Sequence, residues 1–469
     1  MINKLYINDI NRVNELGKEL NANFIKLFHI ENLNNNEIIY TYKIENNILG
    51  FIHIFDNIDN VEILNIVVDK KYRKQHIGSK LLDYIINKYH KNIILEVNSS
   101  NKAAISLYQK NNFKEINIRK KYYGTDDAII MERKTMKDVY ILGIESSCDE
   151  TSMAIIKNGH ENISTTILTQ MDTHALFGGV VPEIASRMHT ENITMVLEDV
   201  FSKTNLTMND IDAVAVTYAP GLLGSLLVGI EAAKVISLVY KKPLIKVHHI
   251  AGHIYANNLV NQMQFPLLAL VVSGGHTELV LMEDDYKFKV IAKTLDDAIG
   301  EVYDKVARVL DLPYPGGPNI EKYAAQGKNT YKLPIPMNNN ELNFSFSGLK
   351  SAVINLAHNE KQRGNEIRKY DLACSFQTVA IDELVRKTRQ AIEETNTKRL
   401  IIAGGVSANK YLREKFEELT KEYNVELTIP QVKYCTDNAA MIACAAYPLY
   451  LKKEFTDFSL NGESTCDLF

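Results

Sequence analysis

The sequence lacks several features that would place it in a disulfide-bonded, secreted or membrane class. Its five cysteines include no Cys-x-x-Cys pair, so we expect a reducing compartment, without a disulfide framework or a cysteine zinc site. The first residues, MINKLYINDINRVNEL, contain no long apolar core, and a signal peptide is not expected. The most apolar region, residues 213–240, is interrupted by Pro220, Glu231 and Lys234, which argues against a membrane span. We therefore expect a cytoplasmic protein.

An excess of positive charge is also missing. The 469 residues carry a net charge of −4, and that charge is unevenly divided. Residues 1–134 hold 20 Lys and Arg against 16 Asp and Glu, a net charge of +4, whereas the remainder has a net charge of −8. A nucleic-acid partner would therefore have to be recognised through local patches or partner proteins.

A second beginning lies inside the chain. The stretch RKTMKDVYILGIESSCDET, residues 133–151, passes from a short polar segment into an apolar run and then into small polar and acidic residues. Such a pattern is typical of the start of a domain, and a chain of this length is expected to form two or three domains. We expect one domain over residues 1–134, a linker over 135–138 and a second domain over 139–469.

The first region has a mixed α/β pattern. IIYTYKIENNILGFIHIF predicts two strands joined by an Asn-Asn turn, and VEILNIVVD predicts a third. Apolar residues at 77, 81, 82, 85 and 86 share one helical face, and a further strand and helix follow in KNIILEVNSS and NKAAISLYQKNNF. The basic loop before the helix suggests an anion site, because helix N-termini attract phosphate groups; its alternative is a solvated basic turn.

LEVNSSNKAAISLYQKNNF followed by KKYYGTDDAIIME resembles the RimI-type N-terminal acetyltransferases of the GNAT family. The resemblance implies acetyl-CoA as donor and a protein α-amino group as acceptor, the N-terminal alanine of a ribosomal protein in RimI itself. The resemblance implies that Glu96 is the general base and Tyr108 the general acid. Without the resemblance, Glu96 would be interpreted as a solvated carboxylate and Tyr108 as an aromatic residue of the core. The implied acetyl-CoA contacts are Ile66, Val67, Val68, Lys74, Gln75, His76, Ile77, Gly78, Ser79 and Asn101.

One position in this region departs from the family pattern. The family loop reads Q/R-x-x-G-x-G/A, whereas this chain has RKQHIG, with His76 at the first glycine. Glycine at that position allows the backbone to approach the pyrophosphate and to adopt dihedral angles that a Cβ atom resists.

The second region contains a repeated design. VYILGIESSCDETSMAII and FPLLALVVSGGHTELVLM each predict a strand, a polar turn and a second strand. RLIIAGGVSANKYLREKFEEL adds a strand, a Gly-Gly turn and a helix expected to begin near Ser407. Together these three motifs resemble the duplicated, two-lobed fold of the actin, heat-shock protein and sugar kinase (ASKHA) superfamily. In that fold the ligand binds in a cleft between the lobes.

VHHIAGH suggests a metal site. His249 and His253 are four residues apart, so a helix would place both imidazoles on one face. No glutamate follows the first histidine, so the HExxH pattern of zinc proteases is absent. A distant carboxylate such as Asp437, in YCTDNAAM, could supply a third ligand. The alternatives are ordinary surface or core histidines and, for Asp437, a helix N-cap.

The order of motifs in residues 138–455 is similar to that of the TsaD family, formerly called Gcp or YgjD. The motifs are GIESSCDET, GGVVPEIASRMH, VHHIAGH, VSGGHTEL, EVYDKVARVL, YPGGP, NFSFSGLK, AGGVSAN and CTDNAAM. The resemblance implies transfer of threonylcarbamoyl from threonylcarbamoyl-AMP to the adenosine 3′ of the anticodon, in tRNAs that read codons starting with A. It also implies one divalent ion, Fe²⁺ or Zn²⁺ with iron favoured, on His249, His253 and Asp437.

The same resemblance assigns the remaining site residues. The implied donor contacts are Val271, Val272, Ser273, Gly274, Gly275, Asp304, Gly317, Glu321 and Asn409. Asp149 and Glu150, in the first polar turn, are candidates for proton handling or orientation. Otherwise Asp304 would be a solvent-facing helix carboxylate and Gly317 part of a plain Pro-Gly-Gly turn.

The chain contains no G-x-x-x-x-G-K-[ST] motif, so an ATPase of the TsaE type is expected as a separate chain. The resemblance to the TsaD family implies the paralogue TsaB as a further separate chain. TsaB would pack on an apolar helical surface near residues 183–240. Two other classes of function stay open from the sequence. One is a metallohydrolase acting on glycopeptides, which needs a glutamate beside the metal that the histidine pair does not offer. The other is a nucleotide-binding scaffold with a degenerate acetyltransferase region.

Overall fold

The computed structural model describes residues 2–45, 47–89, 91–135, 137–337 and 341–468. It divides the chain into two compact units, Met1–Lys137 and Asp138–Phe469, each with its own hydrophobic core.

The first unit is a seven-stranded sheet with helices on both faces. Its strands are β1 Ile2–Lys4, β2 Glu37–Ile44, β3 Asn47–Asp56, β4 Asn60–Val68, β5 Asn92–Asn98, β6 Lys114–Tyr123 and β7 Asp126–Arg133, in the sheet order β1-β2-β3-β4-β5-β7-β6. Its helices are α1 Ile10–Leu20, α2 Phe24–Phe28, α3 Ile77–Lys88 and α4 Lys102–Lys110. The predicted strands and helices of this region are confirmed; Asn46 of the predicted Asn-Asn turn lies outside the described residues.

Two parallel strands of this sheet separate part-way along their length. Within the described residues, β4 and β5 pair from Asn60 opposite Asn92 to Ile63 opposite Leu95. Beyond that point β4 continues through Val68 while pairing with β3 on its other side. The β5-facing backbone of Ile66–Val68 is therefore available to a ligand that enters the opening between the strands.

The second unit contains two five-stranded sheets. The first sheet is formed by β8 Tyr140–Glu145, β9 Glu150–Lys157, β10 Glu161–Thr169, β11 Ala213–Ala219 and β12 Leu244–His248. The second is formed by β13 Leu267–Val272, β14 Thr277–Asp284, β15 Lys287–Lys293, β16 Arg399–Ala403 and β17 Glu426–Thr428. The helices are α5 Met171–Ala175, α6 Pro182–Ser202, α7 Leu223–Tyr240, α8 His249–Tyr255, α9 Ile299–Val309, α10 Gly316–Ala324, α11 Ser347–Gln362, α12 Lys369–Thr395, α13 Lys410–Tyr423 and α14 Ala439–Lys452.

The two sheets have the same topology. Their strand orders are β10-β9-β8-β11-β12 and β15-β14-β13-β16-β17, so each contains an antiparallel meander of three strands followed by two parallel strands. Both predicted hairpins, β8–β9 and β13–β14, are confirmed as antiparallel pairs. The duplication confirms the predicted α/β, two-lobed ASKHA-type fold.

Two details differ from the sequence prediction. Helix α13 begins at Lys410, not near Ser407, because residues Gly405–Ala408 form a 3-10 turn and the Asn409 side chain caps the helix by accepting from Leu412 N. Helix α7 runs unbroken from Leu223 to Tyr240 through Glu231 and Lys234, and by length and composition it could cross a membrane. It packs against β11 and α6, as a helix of a globular core does.

Candidate functional site

The packing of α8 against α14 brings the candidate metal ligands together. Helix α8 follows β12 directly, so His249 is its first residue and His253 lies one turn later. Gly252 permits the contact: a Cβ atom there would lie 2.8 Å from Ile442 Cδ1. Gly143 on β8 plays the same part, since its Cβ would lie 2.4 Å from the Ala439 carbonyl oxygen. The small residues seen in the sequence thus place the start of α14 beside α8.

His249, His253 and Asp437 form one cluster whose ligand atoms all lie within 4.8 Å of one another. Asp437 Oδ1 is 3.5 Å from His249 Nε2 and 3.2 Å from His253 Nε2. The Asp437–His253 contact is an ion-pair distance without hydrogen-bond geometry, and within the described part of the chain neither ring nitrogen of buried His253 has a hydrogen-bond partner. An imidazole with unpaired nitrogens beside a carboxylate fits a divalent cation. The helix N-cap is Asn438, so the N-cap alternative for Asp437 is wrong.

Sequence reasoning missed Glu145, which lies at the end of β8 and is fully buried. Its Oε2 atom lies 3.2 Å from His249 Nδ1, on the opposite side of the ring from Asp437. Glu145 therefore contacts His249 from behind and does not supply the glutamate beside the metal that a metallohydrolase needs. The sequence did contain a sign of this contact, because Glu145 ends an apolar strand just before an acidic turn. A carboxylate buried at the end of such a strand needs a specific hydrogen-bond or charge partner.

The charges of the cluster are strongly coupled. Burial opposes ionisation of both groups, but mutual attraction prevails: Asp437 and Glu145 raise the pKa of His249 to about 9, and the histidines lower the pKa of Asp437 to about 2. Burial likewise opposes ionisation of Glu145, but His249 and the Ser147 hydrogen bond bring its pKa below the ordinary value. Without a metal, the cluster therefore holds a proton on His249 at neutral pH.

The acidic turn after β8 contains the two carboxylates predicted to handle protons. Asp149 is buried and Glu150 is half-buried at the start of β9. Burial first, and then the nearby charges of Asp437 and Asp149, raise the pKa of Glu150 to about 10. Glu150 consequently keeps its proton at neutral pH in the metal-free protein. Its pKa depends on the charge of Asp437, so it lies within the electrostatic field of the candidate metal ligands.

The turn after β13 has backbone that no described atom covers. An added Cβ atom at Gly274 or Gly275 would meet no heavy atom of the described residues within 4 Å, whereas one at Gly300 would lie 2.6 Å from the Ser273 carbonyl oxygen. Val271 and Val272 are buried in the strand. Ser273 Oγ accepts from His276 N, 3.1 Å away, and holds the turn closed.

Helices α9 and α10 contribute the next predicted residues. Asp304 Oδ1 accepts from Gly316 N at 2.7 Å, and burial raises the pKa of this carboxyl. Asp304 is therefore not a solvent-facing carboxylate. Gly317 lies in the first turn of α10, where an added Cβ would meet no described heavy atom within 4 Å, so a ligand could approach its backbone.

The protein itself already engages the last two predicted contacts. Glu321 Oε1 accepts from Lys410 N at 2.7 Å. The Asn409 oxygen caps α13, and its Nδ2 donates to Gln377 Oε1 at 2.8 Å. Among the described residues, one amide hydrogen of Asn409 stays available to a ligand. The sequence alone suggested that both the donor and the acceptor of this side chain would be available.

The first unit places its own candidate residues around the opening between β4 and β5. Glu96 directly follows Leu95, the last β5 residue paired with β4. Its Oε1 atom pairs with an Arg119 nitrogen at 2.6 Å across β7, a contact that the sequence did not predict. Tyr108 is buried in α4, and burial followed by the influence of Tyr123 raises the pKa of its hydroxyl. Tyr108 is thus held protonated, as a proton donor requires.

The basic loop before α3 has the conformation that the family glycine would favour. His76 has φ +59° and is the residue immediately before α3, and Lys74 also has positive φ, at +63°. The N–H groups of the first turn of α3, at Ile77, Gly78 and Ser79, have no earlier helical carbonyl to bond and can receive an anion. Asn101 accepts from Ala104 N and caps α4.

A duplicated two-lobed fold with a candidate His-His-Asp metal site defines a member of the ASKHA class, here preceded by a GNAT-type unit. A family model described as "tRNA N6-adenosine threonylcarbamoyltransferase" (TsaD) matches residues 161–444, and the "Acetyltransferase (GNAT) family" model matches residues 7–113. The chain belongs to the TsaD family and carries a GNAT acetyltransferase domain.

Individual proteins are similar to parts of the chain. The tRNA N6-adenosine threonylcarbamoyltransferase of Staphylococcus haemolyticus (strain JCSC1435) is 53% identical over 333 residues, which cover 71% of this chain and 97% of that protein. The corresponding protein of Staphylococcus aureus (strain N315) is 52% identical and covered over 98% of its length. The crystal structure of the ribosomal-protein-S18-alanine N-acetyltransferase from Escherichia coli matches 29% of this chain and 94% of its own, with 27% identity and a TM-score of 0.28.

The charge on His249 predicts how metal uptake depends on pH. A metal must displace the His249 proton, whose pKa is raised to about 9. Affinity should therefore rise with pH, about tenfold per unit for one released proton, from pH 6 until it levels off above the His249 pKa. Titration of the metal-free chain with Zn²⁺ against a competing chelator measures this slope. An affinity independent of pH over that range would contradict the protonated state described here.

The positive φ of His76 predicts the effect of His76→Gly. A non-glycine residue in this conformation is strained by about 1 kcal/mol, and glycine also removes bulk where a pyrophosphate would approach. We expect acetyl-CoA to bind about fivefold more tightly to the variant, as measured by calorimetry. His29→Gly is the matched control, because His29 also has positive φ, +38°, but lies outside the loop. Equal or weaker binding in H76G would contradict the role of the loop.

Proposed function

We propose that the second unit transfers threonylcarbamoyl from threonylcarbamoyl-AMP to the N6 amine of the adenosine 3′ of the anticodon, in tRNAs that read codons starting with A. The observation that carries this proposal is the His249, His253 and Asp437 cluster, with its unpaired imidazole nitrogens, in a domain of the TsaD family. These three residues would hold one divalent ion, Fe²⁺ in preference to Zn²⁺. When bound, such an ion supplies charge stabilisation for phosphate and carbonyl oxygens.

The residues around the cluster have complementary tasks in this reaction. The adenosine amine is a poor nucleophile, because its lone pair is delocalised into the ring, so orientation and proton transfer matter. The new bond joins N6 to the carbamoyl carbon, while the bond from that carbon to the AMP phosphate oxygen breaks. Asp149 takes the proton released by N6, and Glu150, whose pKa is raised to about 10, supplies a proton at the departing phosphate.

The donor occupies the open backbone of the second lobe. The turn at Ser273, Gly274 and Gly275 offers N–H groups to the anionic part of the donor, next to Val271 and Val272. Gly317 lets the nucleotide approach α10, while Asp304 fixes the turn at Gly316. The second amide hydrogen of Asn409 and the carboxylate of Glu321 are the remaining proposed contacts to the donor.

We also propose that the first unit acetylates the N-terminus of a protein. Acetyl-CoA lies along Ile66–Val68, with its pyrophosphate at the 74–79 loop and Asn101 nearby. Glu96 removes a proton from the acceptor ammonium, and Tyr108 protonates the departing CoA thiolate. The N-terminal alanine of a ribosomal protein is the acceptor that the motifs favour. The two activities belong to separate domains, residues 1–134 and 139–469, joined by residues 135–138.

A reconstituted reaction tests the tRNA activity directly. The purified chain is incubated with unmodified tRNA, threonine, bicarbonate, ATP and separate TsaB-like and TsaE-like chains, together with an enzyme that forms threonylcarbamoyl-AMP. The nucleosides are then analysed by mass spectrometry. Threonylcarbamoyladenosine should appear in tRNAs that read codons starting with A, and a tRNA with another base 3′ of its anticodon is the control. Failure to modify the matching tRNA would contradict the proposal.

Removing a metal ligand should abolish this transfer without unfolding the protein. His253→Ala and Asp437→Ala each remove one of three ligands, whereas the unit has a core large enough to fold without metal. We expect loss of bound metal, at least a 100-fold fall in tRNA modification and a thermal transition that stays cooperative. Acetyl transfer by the first unit should be unchanged in both variants. Full metal content with intact activity in either variant would contradict the ligand assignment.

A separate TsaB-like chain is proposed to bind the outer face of α7. Large apolar side chains are exposed there, including Val235, Leu238 and Val239, which are 58–64% exposed, and Met195 of α6 is 52% exposed. An apolar face on two adjacent helices is typical of a protein–protein contact. The surface lies within the 183–240 region expected from the sequence.

A charge placed on this face should weaken partner binding. Leu238→Asp introduces a carboxylate into a contact that would be desolvated, and we expect at least tenfold weaker binding of the TsaB-like chain in calorimetry. Ile354→Asp on α11 is the matched control, because it charges an exposed apolar residue on a different surface. Unchanged affinity in L238D would show that the partner binds elsewhere.

A further inference from the structure

We propose that Glu145 is a positioning residue that fixes the tautomer and orientation of His249, and so prepares one half of the metal site before any metal arrives. The inference rests on the metal centre proposed above. It goes further by assigning a role to a residue that belongs neither to the ligand set nor to the donor contacts.

The carboxylate of Glu145 is itself held in one orientation. Ser147 N donates to Oε1 at 2.6 Å, and Thr217 Oγ1 donates to Oε2 at 2.6 Å. Thr217 and Glu145 are both fully buried, on neighbouring parallel strands β11 and β8. Two short hydrogen bonds, one from the turn after β8 and one from the neighbouring strand β11, leave the carboxylate little freedom to rotate.

This fixed carboxylate determines which nitrogen of His249 carries hydrogen. Oε2 lies 3.2 Å from His249 Nδ1, and an ionised carboxylate can only accept a hydrogen bond. Nδ1 is therefore the protonated nitrogen of the neutral ring, and the Nε2 lone pair points towards Asp437, 3.5 Å away. Ser147 Oγ also lies 3.2 Å from Nδ1, but a hydroxyl can donate or accept and does not select a tautomer. A carboxylate behind a ligating imidazole commonly orients the ring in this way.

The two histidines are thus prepared differently. His249 has an orienting carboxylate, whereas both nitrogens of His253 lack a hydrogen-bond partner among the described residues. His249 should consequently be the better-ordered of the two imidazole ligands. Removal of the Glu145 carboxylate should therefore lower the affinity for the metal.

Glu145→Gln is the decisive variant because it keeps the size of the side chain. An amide has one oxygen, which cannot accept from Ser147 N at one end and from Thr217 and His249 at the other. If the NH₂ group faces His249, it donates to Nδ1 and drives hydrogen to Nε2, which removes the lone pair that a metal needs. We expect Zn²⁺ to bind the variant about 10- to 100-fold more weakly, in chelator competition on the full chain. Long-range ¹⁵N–¹H spectra of histidine-labelled, metal-free protein at a pH above 9 should show the changed His249 tautomer.

Two controls separate orientation from charge and from folding. Asp149→Asn removes one carboxylate from the turn that follows Glu145, and its effect on Zn²⁺ affinity should be clearly smaller. Thr217→Val keeps Glu145 and its charge but removes one of the two donors that hold it, and should weaken Zn²⁺ several-fold. If E145Q does not fold, T217V carries the test, and Zn²⁺ affinity equal to wild type in T217V then overturns the inference.

The outcomes also distinguish this inference from the proposed metal site. Absence of Zn²⁺ binding by the wild-type chain would remove the proposed metal centre itself. Wild-type binding with unchanged affinity and tautomer in E145Q would overturn the positioning role alone. Equal losses in E145Q and D149N would show that Glu145 acts by charge and not by orientation.

Discussion

The charge of Asp437, whose side chain is only 22% exposed, is the constraint on which the arrangement of the candidate metal site depends. A carboxylate removed from water costs several kcal/mol unless cations or hydrogen bonds compensate for it. Here the compensation comes from two imidazoles on α8, and the pKa of Asp437 falls to about 2 in spite of burial. The approach of α14 to α8 requires Gly252 and a run of alanines, so the backbone packing and the charge balance at the site are parts of one arrangement.

The two units, as proposed, perform related chemistry on different scaffolds. Each moves an acyl-type group from an activated carrier to a nitrogen atom, from a thioester to a protein amine in one and from a mixed anhydride to N6 of adenosine in the other. In this proposal both would receive phosphate on backbone N–H groups, at the start of α3 and at the turn after β13. They differ in the nucleophile, because an α-amine needs only deprotonation whereas an aromatic amine needs an activated donor.

Local sequence patterns predicted the elements of this structure better than their side-chain partners. Apolar strands on either side of polar turns predicted the two hairpins, and the spacing of His249 and His253 predicted their shared face, because these depend on neighbours in sequence. The Glu145–His249 contact and the Arg119–Glu96 pair join residues 104 and 23 positions apart, and no local pattern encodes them. The capping role of Asn409 was missed for a related reason, since a 3-10 turn at Gly405 moved the helix start to Lys410.

X-ray absorption spectroscopy of the iron-loaded chain tests the central claim most directly. If His249, His253 and Asp437 hold the metal, the spectrum should show two imidazole nitrogens and carboxylate oxygen at about 2.0–2.2 Å, with further oxygen from solvent or ligand. In His253→Ala, which should lose the metal, this imidazole-coordinated iron signal should be absent. A sulfur shell at about 2.3 Å, as Cys148 in the neighbouring turn would produce, or a spectrum without imidazole scattering would contradict the account.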